Sequence, residues 1–162
     1  GRPLTMTRSI GCAIMVVGDA RQAQSGQLLV KLLGEAGHNI TQDRTIKSDG
    51  LQIKGELAML TQSQSSQAIF FTGRTGNALR DPIGDAVRQQ LDRRLDGFGD
   101  LLRSLLYQEQ GSRAMLAQGV AGSIKRKLVF CLPGDLNTIE IAMSKLVLPE
   151  LEYLLDQLTP RI

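Results

Sequence analysis

The chain is poor in the residues that make metal and disulfide chemistry. It has one histidine, His38, in 162 residues, so no histidine-based metal cluster can form within one chain. Its two cysteines, Cys12 and Cys131, lie far apart inside the apolar runs "IGCAIMVV" and "LVFCL". That placement reads as reduced core residues and argues against a disulfide framework. No apolar run approaches the ~18 residues of a membrane span, and no signal-peptide core opens the chain. Charge excess is also slight: 19 Lys and Arg against 16 Asp and Glu leave +3. Nucleic acid would call for a concentrated basic face. The one local run, Lys125-Arg126-Lys127, reads as a solvated turn ahead of an apolar strand. The expectation is a cytoplasmic protein with neither nucleic acid nor membrane as a partner.

What is present is an ordinary globular balance, 42% hydrophobic and 22% charged, enough for one domain over 1–162 with a single sizeable core. Residues 1–8 read as a flexible leader. Strand and helix patterns then alternate. "SIGCAIMVV" is an apolar run of strand length ending at Gly18. Leu28, Leu29, Leu32, Leu33 and Ala36 recur at helical spacing, and Gly37 is a good terminator. "HNITQDRTI" is a more polar strand candidate, and Leu51 to Gln62 a second helix with Ile53, Leu57 and Leu60 on one face. "QAIFF" is a short buried strand. Helices follow around Asp85 to Arg94 and Phe98 to Glu109. "KLVFCL" is another buried strand, after which Asn137 and Glu140 have capping-box spacing. Pro149 ends that helix or begins a last turn. Such alternation predicts an α/β fold, a mostly parallel, doubly wound sheet covered on both faces as an α/β/α sandwich.

In such sheets ligands bind beyond the carboxyl ends of the strands. Three turns qualify: "GDARQAQSG" after the first strand, "TGRTGNALRD" after "AIFF", and "LPGD" after "LVFC". Thr72, Gly73, Thr75 and Gly76 suit a phosphate, because glycines let backbone amides approach an anion. The lysine and hydroxyl of a P-loop are missing, and a tight turn would use the same glycines. Asp81 is placed to hold a divalent cation beside a bound phosphate, or to cap the helix that Pro82 opens. Asp49, in "IKSDG", is a further acid at a strand end or a turn residue before Gly50.

Taken together, "AGH" at 36–38, "TGRTG" at 72–76, "RD" at 80–81, "DGFGDLLR" at 96–103, "AGSIKRKLVFCLPG" at 121–134 and "LVLPEL" at 146–151 resemble the MoaB/MogA family of molybdenum-cofactor biosynthesis proteins. That family includes the G domain of gephyrin, and the resemblance runs from about Ile10 to Leu158. It implies an α/β/α sandwich assembled as a homotrimer or a dimer of trimers, with molybdopterin as ligand. Active members transfer AMP from Mg·ATP to the terminal phosphate of molybdopterin, so Mg²⁺ and ATP are the implied cofactors. By the same resemblance Asp49 and Asp81 are the catalytic acids, with Asp81 toward the metal. Gly73, Thr75 and Gly76 match the ligand loop. Asp19 and Arg21, with Ser25 beyond them, match the polar turn after the first strand, and Pro133 and Gly134 the "LPG" turn.

The departures fall in the same cleft. Arg74 replaces the second glycine of the usual GGTG loop, which makes it a candidate phosphate contact. Gly18-Asp19-Ala20 stands for SDT, and Ala23 and Gln24 leave the acid before Ser25-Gly26 missing. Ile83 replaces a threonine, Ala117 and Gln118 replace a hydroxyl and a positive charge, and Asp135 replaces a serine. Each lost polar contact weakens a ligand by about 1 to 3 kcal/mol. Two expectations follow. One is a molybdopterin adenylyltransferase using Asp49, Asp81 and Arg74. The other is a binding or assembly module that keeps the fold and oligomer without turnover.

Overall fold

The computed structural model describes residues 8–18, 23–47, 49–73, 79 and 81–158. A six-stranded sheet in the order β2-β1-β3-β6-β5-β4 forms its centre. Strand β1 (Gly11–Val17) is buried along its whole length, as expected of a continuous apolar run in a parallel sheet covered on both faces. It pairs in parallel with β2 (Asn39–Ile46) on one side and β3 (Ala68–Gly73) on the other. The polar, largely exposed composition of β2 suits the sheet edge it occupies. Strand β6 (Lys127–Pro133) continues the parallel set, and β5 (Val120–Ile124) and the two-residue β4 (Arg93–Arg94) add antiparallel to it.

Period-two alternation divides the strand residues between two cores. On one face Cys12, Ile14, Val16, Phe70, Phe130 and Leu132 pack against α1 (Ala23–Glu35), α4 (Asp96–Gln110), α5 (Leu136–Ala142) and α6 (Leu148–Leu158). Phe70 stacks on Phe130 at 5.3 Å, and Phe98 of α4 meets the same ring edge-on at 5.7 Å. On the other face Met15, Val17, Ile69, Phe71 and Cys131 pack against α2 (Gly50–Gln62) and α3 (Pro82–Arg88). This is the expected three-layer α/β/α sandwich. Cys12 and Cys131 are free and buried, one in each core. Burial pushes the Cys12 thiol up to about 12 and raises that of Cys131 as well, so both stay protonated and unreactive.

Local signals account for several boundaries. Helix α1 closes in a Schellman arrangement: His38 N donates to Leu33 O and Gly37 N to Gly34 O, both at 3.0 Å, with Gly37 at φ +90°. On α2, Ile53, Leu57 and Leu60 form the buried face that their spacing implies. Elsewhere the structure departs from the sequence reading. The helix expected around Asp85 to Arg94 spans Pro82–Arg88, and Arg93 and Arg94 instead pair with Ser123 and Gly122. The cap of α5 is Asp135, not Asn137, whose amide donates to Glu109 at 2.7 Å. The basic run is only partly a turn. Lys125 and Arg126 form the two-residue link between β5 and β6 at φ 47° and 69°, the left-handed pair that a tight hairpin requires. Lys127 instead turns inward, its ammonium donating to the carbonyls of Ser63 and Ser66. Among the described residues no helix is long and apolar enough to cross a membrane.

His38 bridges α1 and β1 at the amino edge, its Nδ1 accepting from Ile10 N at 3.2 Å. Burial lowers its pKa from the ordinary 6.5, against a smaller opposing pull from Glu152. The unfolded chain therefore takes up the proton first, and the contribution is fully present above about pH 6.5 and lost as pH falls through the folded value. Urea midpoints compared at about pH 7.5 and about pH 5 should fall further for the wild type than for His38→Gln.

Candidate functional site

The carboxyl ends of the parallel strands are level. Val17 of β1 is in register with Gly73 of β3 and with Ile46 of β2, and Gly73 is in register with Pro133 of β6. From this edge the chain leaves β1 for α1 on one face and β3 for α3 on the opposite face. Connections that diverge between neighbouring strands open a crevice, and here it lies between β1 and β3.

Close contacts hold that edge together. A Cβ on Gly73 would lie 2.2 Å from Val17 O, and one on Gly26 would lie 2.6 Å from Val16 Cγ2, so both approaches require glycine. Ser25, almost fully buried at the start of α1, donates its Oγ to Gly134 O at 2.9 Å. Thr72 is fully buried and directs its hydroxyl to Pro133 O at 3.5 Å. The structure thus brings Ser25, Thr72, Gly73, Pro133 and Gly134 together, and gives the two hydroxyls structural partners across the crevice.

The acids are positioned by helix starts. Asp81 caps α3 through a 2.9 Å bond from Gly84 N to its Oδ1. A Cβ on Gly84 would fall 2.1 Å from Oδ2, so glycine makes room for the carboxylate. Oδ2 lies 4.0 Å from the Arg88 guanidinium, which also binds Asp85 at 2.8 Å. The Asp81 charge reaches the buried Cys131, adding to the effect of burial on that thiol. Asp49, exposed beyond β2, caps α2 by accepting from Leu51 N at 2.9 Å. Because β1 lies between β2 and β3, the ends of the strands carrying the two acids are roughly 10 Å apart. Asp135 caps α5, its Oδ2 taking both Thr138 N at 3.0 Å and Thr138 Oγ1 at 2.8 Å. Asp19, Arg21, Arg74, Thr75 and Gly76 lie outside the described residues.

A model of the family described as "Probable molybdopterin binding domain" matches residues 13–153. The chain belongs to that family, in its MoaB/MogA group. It is 37% identical over 155 residues to molybdenum cofactor biosynthesis protein B of Bacillus cereus, covering 93% of this chain and 92% of the relative. To the Staphylococcus epidermidis protein of the same name it is 38% identical, covering 97% and 93%. A crystal structure of a molybdenum cofactor biosynthesis protein B superposes with a TM-score of 0.87 at 36% identity, over 93% of this chain and 96% of that one.

For a family member of this kind the donor set at the crevice is informative. Among the described residues no group of three or more His, Cys, Asp or Glu could hold a metal ion. Asp81 spends Oδ1 on the cap, while Oδ2 faces the Arg88 guanidinium at 4.0 Å without a close hydrogen bond to it. One carboxylate oxygen fits Mg²⁺ that arrives with phosphate oxygens and water as its other ligands, and does not fit a dedicated protein cage. Sequence reasoning missed a second feature beside Asp81. Arg88, Arg94, Asp96, Asp100 and Arg103 line a cavity of about 380 Å³. The only local signal for it in the sequence is the pair of acids, Asp96 and Asp100, flanked by Arg94 and Arg103 in and around "DGFGDLLR".

If Ser25 holds the crevice together, Ser25→Ala should cost about 1 kcal/mol by leaving Gly134 O without its donor. For a chain of this size that lowers the thermal midpoint by about 2–4 °C, measurable by calorimetry.

Proposed function

We propose that this chain acts in molybdenum cofactor biosynthesis, binding molybdopterin at the carboxyl edge of the sheet and transferring AMP to it from Mg·ATP. The observation that carries the reading is the level register of Val17, Gly73 and Pro133. It brings the strand ends that precede three glycine-bearing turns to one edge of the sheet, and Asp81 caps the helix that follows β3. Family membership supports the ligand, and the name shared by the relatives supports the pathway.

In this reading the backbone beyond Gly73 and Gly134 receives phosphate groups, with Thr75, Gly76, Asp19 and Arg21 on the adjoining turns. Arg74 neutralises phosphate charge where the family carries glycine. A terminal phosphate oxygen of molybdopterin bonds to the α-phosphorus of ATP, the bond to the β-phosphate breaks, and pyrophosphate leaves. Mg²⁺, when bound, neutralises charge on the phosphates. Asp81 offers Oδ2 to the cation side of the crevice while its cap keeps the carboxylate fixed. Asp49 orients ligand from the β2 side. Positioning and charge neutralisation carry the reaction, and no nucleophilic side chain is called for. The assembly is a homotrimer or a dimer of trimers, for which the exposed Leu101, Tyr107 and Met115 on and after α4 offer apolar surface.

The test is incubation with molybdopterin, ATP and Mg²⁺ and measurement of adenylylated molybdopterin. Asp81→Asn keeps a capping side chain and should lower turnover about 100-fold while the protein stays folded. Molybdopterin binding without any product in the wild type would replace the transferase by the alternative, a binding or assembly module.

A further inference from the structure

The amino edge of the sheet, opposite the crevice, carries a group of cations that no ion pair neutralises among the described residues. Strand β6 runs parallel to β3, so Lys127 at its start lies at this edge, about 20 Å along the strand from Pro133. The hairpin tip, Lys125 and Arg126, projects from the same edge. Arg93 stands beside it, in register with Ser123. Arg93, Lys125 and Arg126 are all exposed, and none has an ion-pair partner among the described residues.

This corner is held in place from three sides. Ile124 and Lys127 pair across the tip, and the Lys127 ammonium is pinned to the carbonyls of Ser63 and Ser66. Asp92 ties β4 to the tip: its N–H donates to Ser123 O at 2.8 Å, and its Oδ2 accepts from Lys125 N at 2.8 Å. The tip nevertheless disfavours the residues it carries. Lys125 and Arg126 both occupy left-handed backbone, at φ 47° and 69°, where Asn-Gly is the preferred pair. Bulky residues in that region cost stability. Neither side chain makes a hydrogen bond or ion pair among the described residues that would offset it. Strain of this kind, unexplained by the fold, points to a role outside it.

We infer that this corner is a docking surface for a partner protein, with Arg93, Lys125 and Arg126 receiving an extended acidic segment of it. Cations on a fixed rim are pre-organised for such a contact, and their charge complements closely spaced Asp and Glu. A hairpin tip is convex, so an extended chain can span it, whereas a small anion would not be enclosed. Nucleic acid would call for a broader basic face, without the Asp92 carboxylate set among the cations. Docking here leaves the carboxyl-edge crevice open, so partner and ligand can be held at once.

Titration of the intact protein with a short polyglutamate peptide, followed by backbone amide resonances, tests this. Saturable shifts are expected at Arg93, Lys125 and Arg126, with affinity falling about tenfold between low and about 0.5 M salt. A polyglutamine peptide should produce none. Arg126→Glu should weaken binding about tenfold or more. The sharper variant pairs Lys125→Asn with Arg126→Gly, which gives the turn the residues it prefers. It should abolish binding while raising the thermal midpoint by about 2–4 °C. Shifts centred on the crevice, tighter binding of a single-stranded oligonucleotide than of the peptide, unchanged binding in the paired variant, or a lowered thermal midpoint would each overturn the assignment. No arm involves molybdopterin or ATP, so a negative result leaves the adenylyl-transfer proposal standing.

Discussion

Everything at the candidate site depends on how closely β1 and β3 approach at their carboxyl ends. Val17 O and the Cα of Gly73 are so near that a methyl group cannot fit between them. The same register runs on to Pro133, and the Ser25–Gly134 and Thr72–Pro133 bonds lock the turns across the strand ends. The diverging paths to α1 and α3 then leave a crevice at the point of closest strand contact. Glycine at the strand ends lets backbone amides come close to an anionic ligand.

The three acids near this edge, Asp49, Asp81 and Asp135, all act as helix caps. A cap fixes a carboxylate in place and spends part of its hydrogen-bonding capacity on the helix. For Asp81 the cap uses one oxygen, on Gly84 N, and the other is held only by the longer 4.0 Å pairing with Arg88, so the proposed role and the cap are compatible. Asp135 commits one oxygen to two donors from Thr138, so the charge that replaces the family's serine is partly offset by its own helix. Capping and function are therefore not competing explanations for these residues.

Much of this was legible before any coordinates. The uninterrupted apolar runs of β1 and β3 announce strands buried on both faces, and glycine at the end of each marks the turns that converge. Strand β5 was hidden because Val120, Ala121, Gly122, Ser123 and Ile124 carry little β pattern of their own, and pairing with β6 makes them a strand. Strand β4 is too short to leave a signal and is defined by Gly122 across from it. The inward turn of Lys127 was invisible for a related reason, since its acceptors lie more than sixty residues earlier in the chain. The arginine cavity is tertiary in the same sense. Its three cations are ordinary surface residues until β4 docks.

The central claim is that the level strand ends between β1, β3 and β6 form the ligand crevice. It is tested most directly by backbone amide shifts on adding molybdopterin with Mg·ATP. The account predicts the largest changes at Gly18, Gly73 and Gly134, with smaller ones near Asp81 and Gly84. Changes concentrated at the amino ends of the strands or at the Lys125–Arg126 hairpin, with these glycines unmoved, would contradict it.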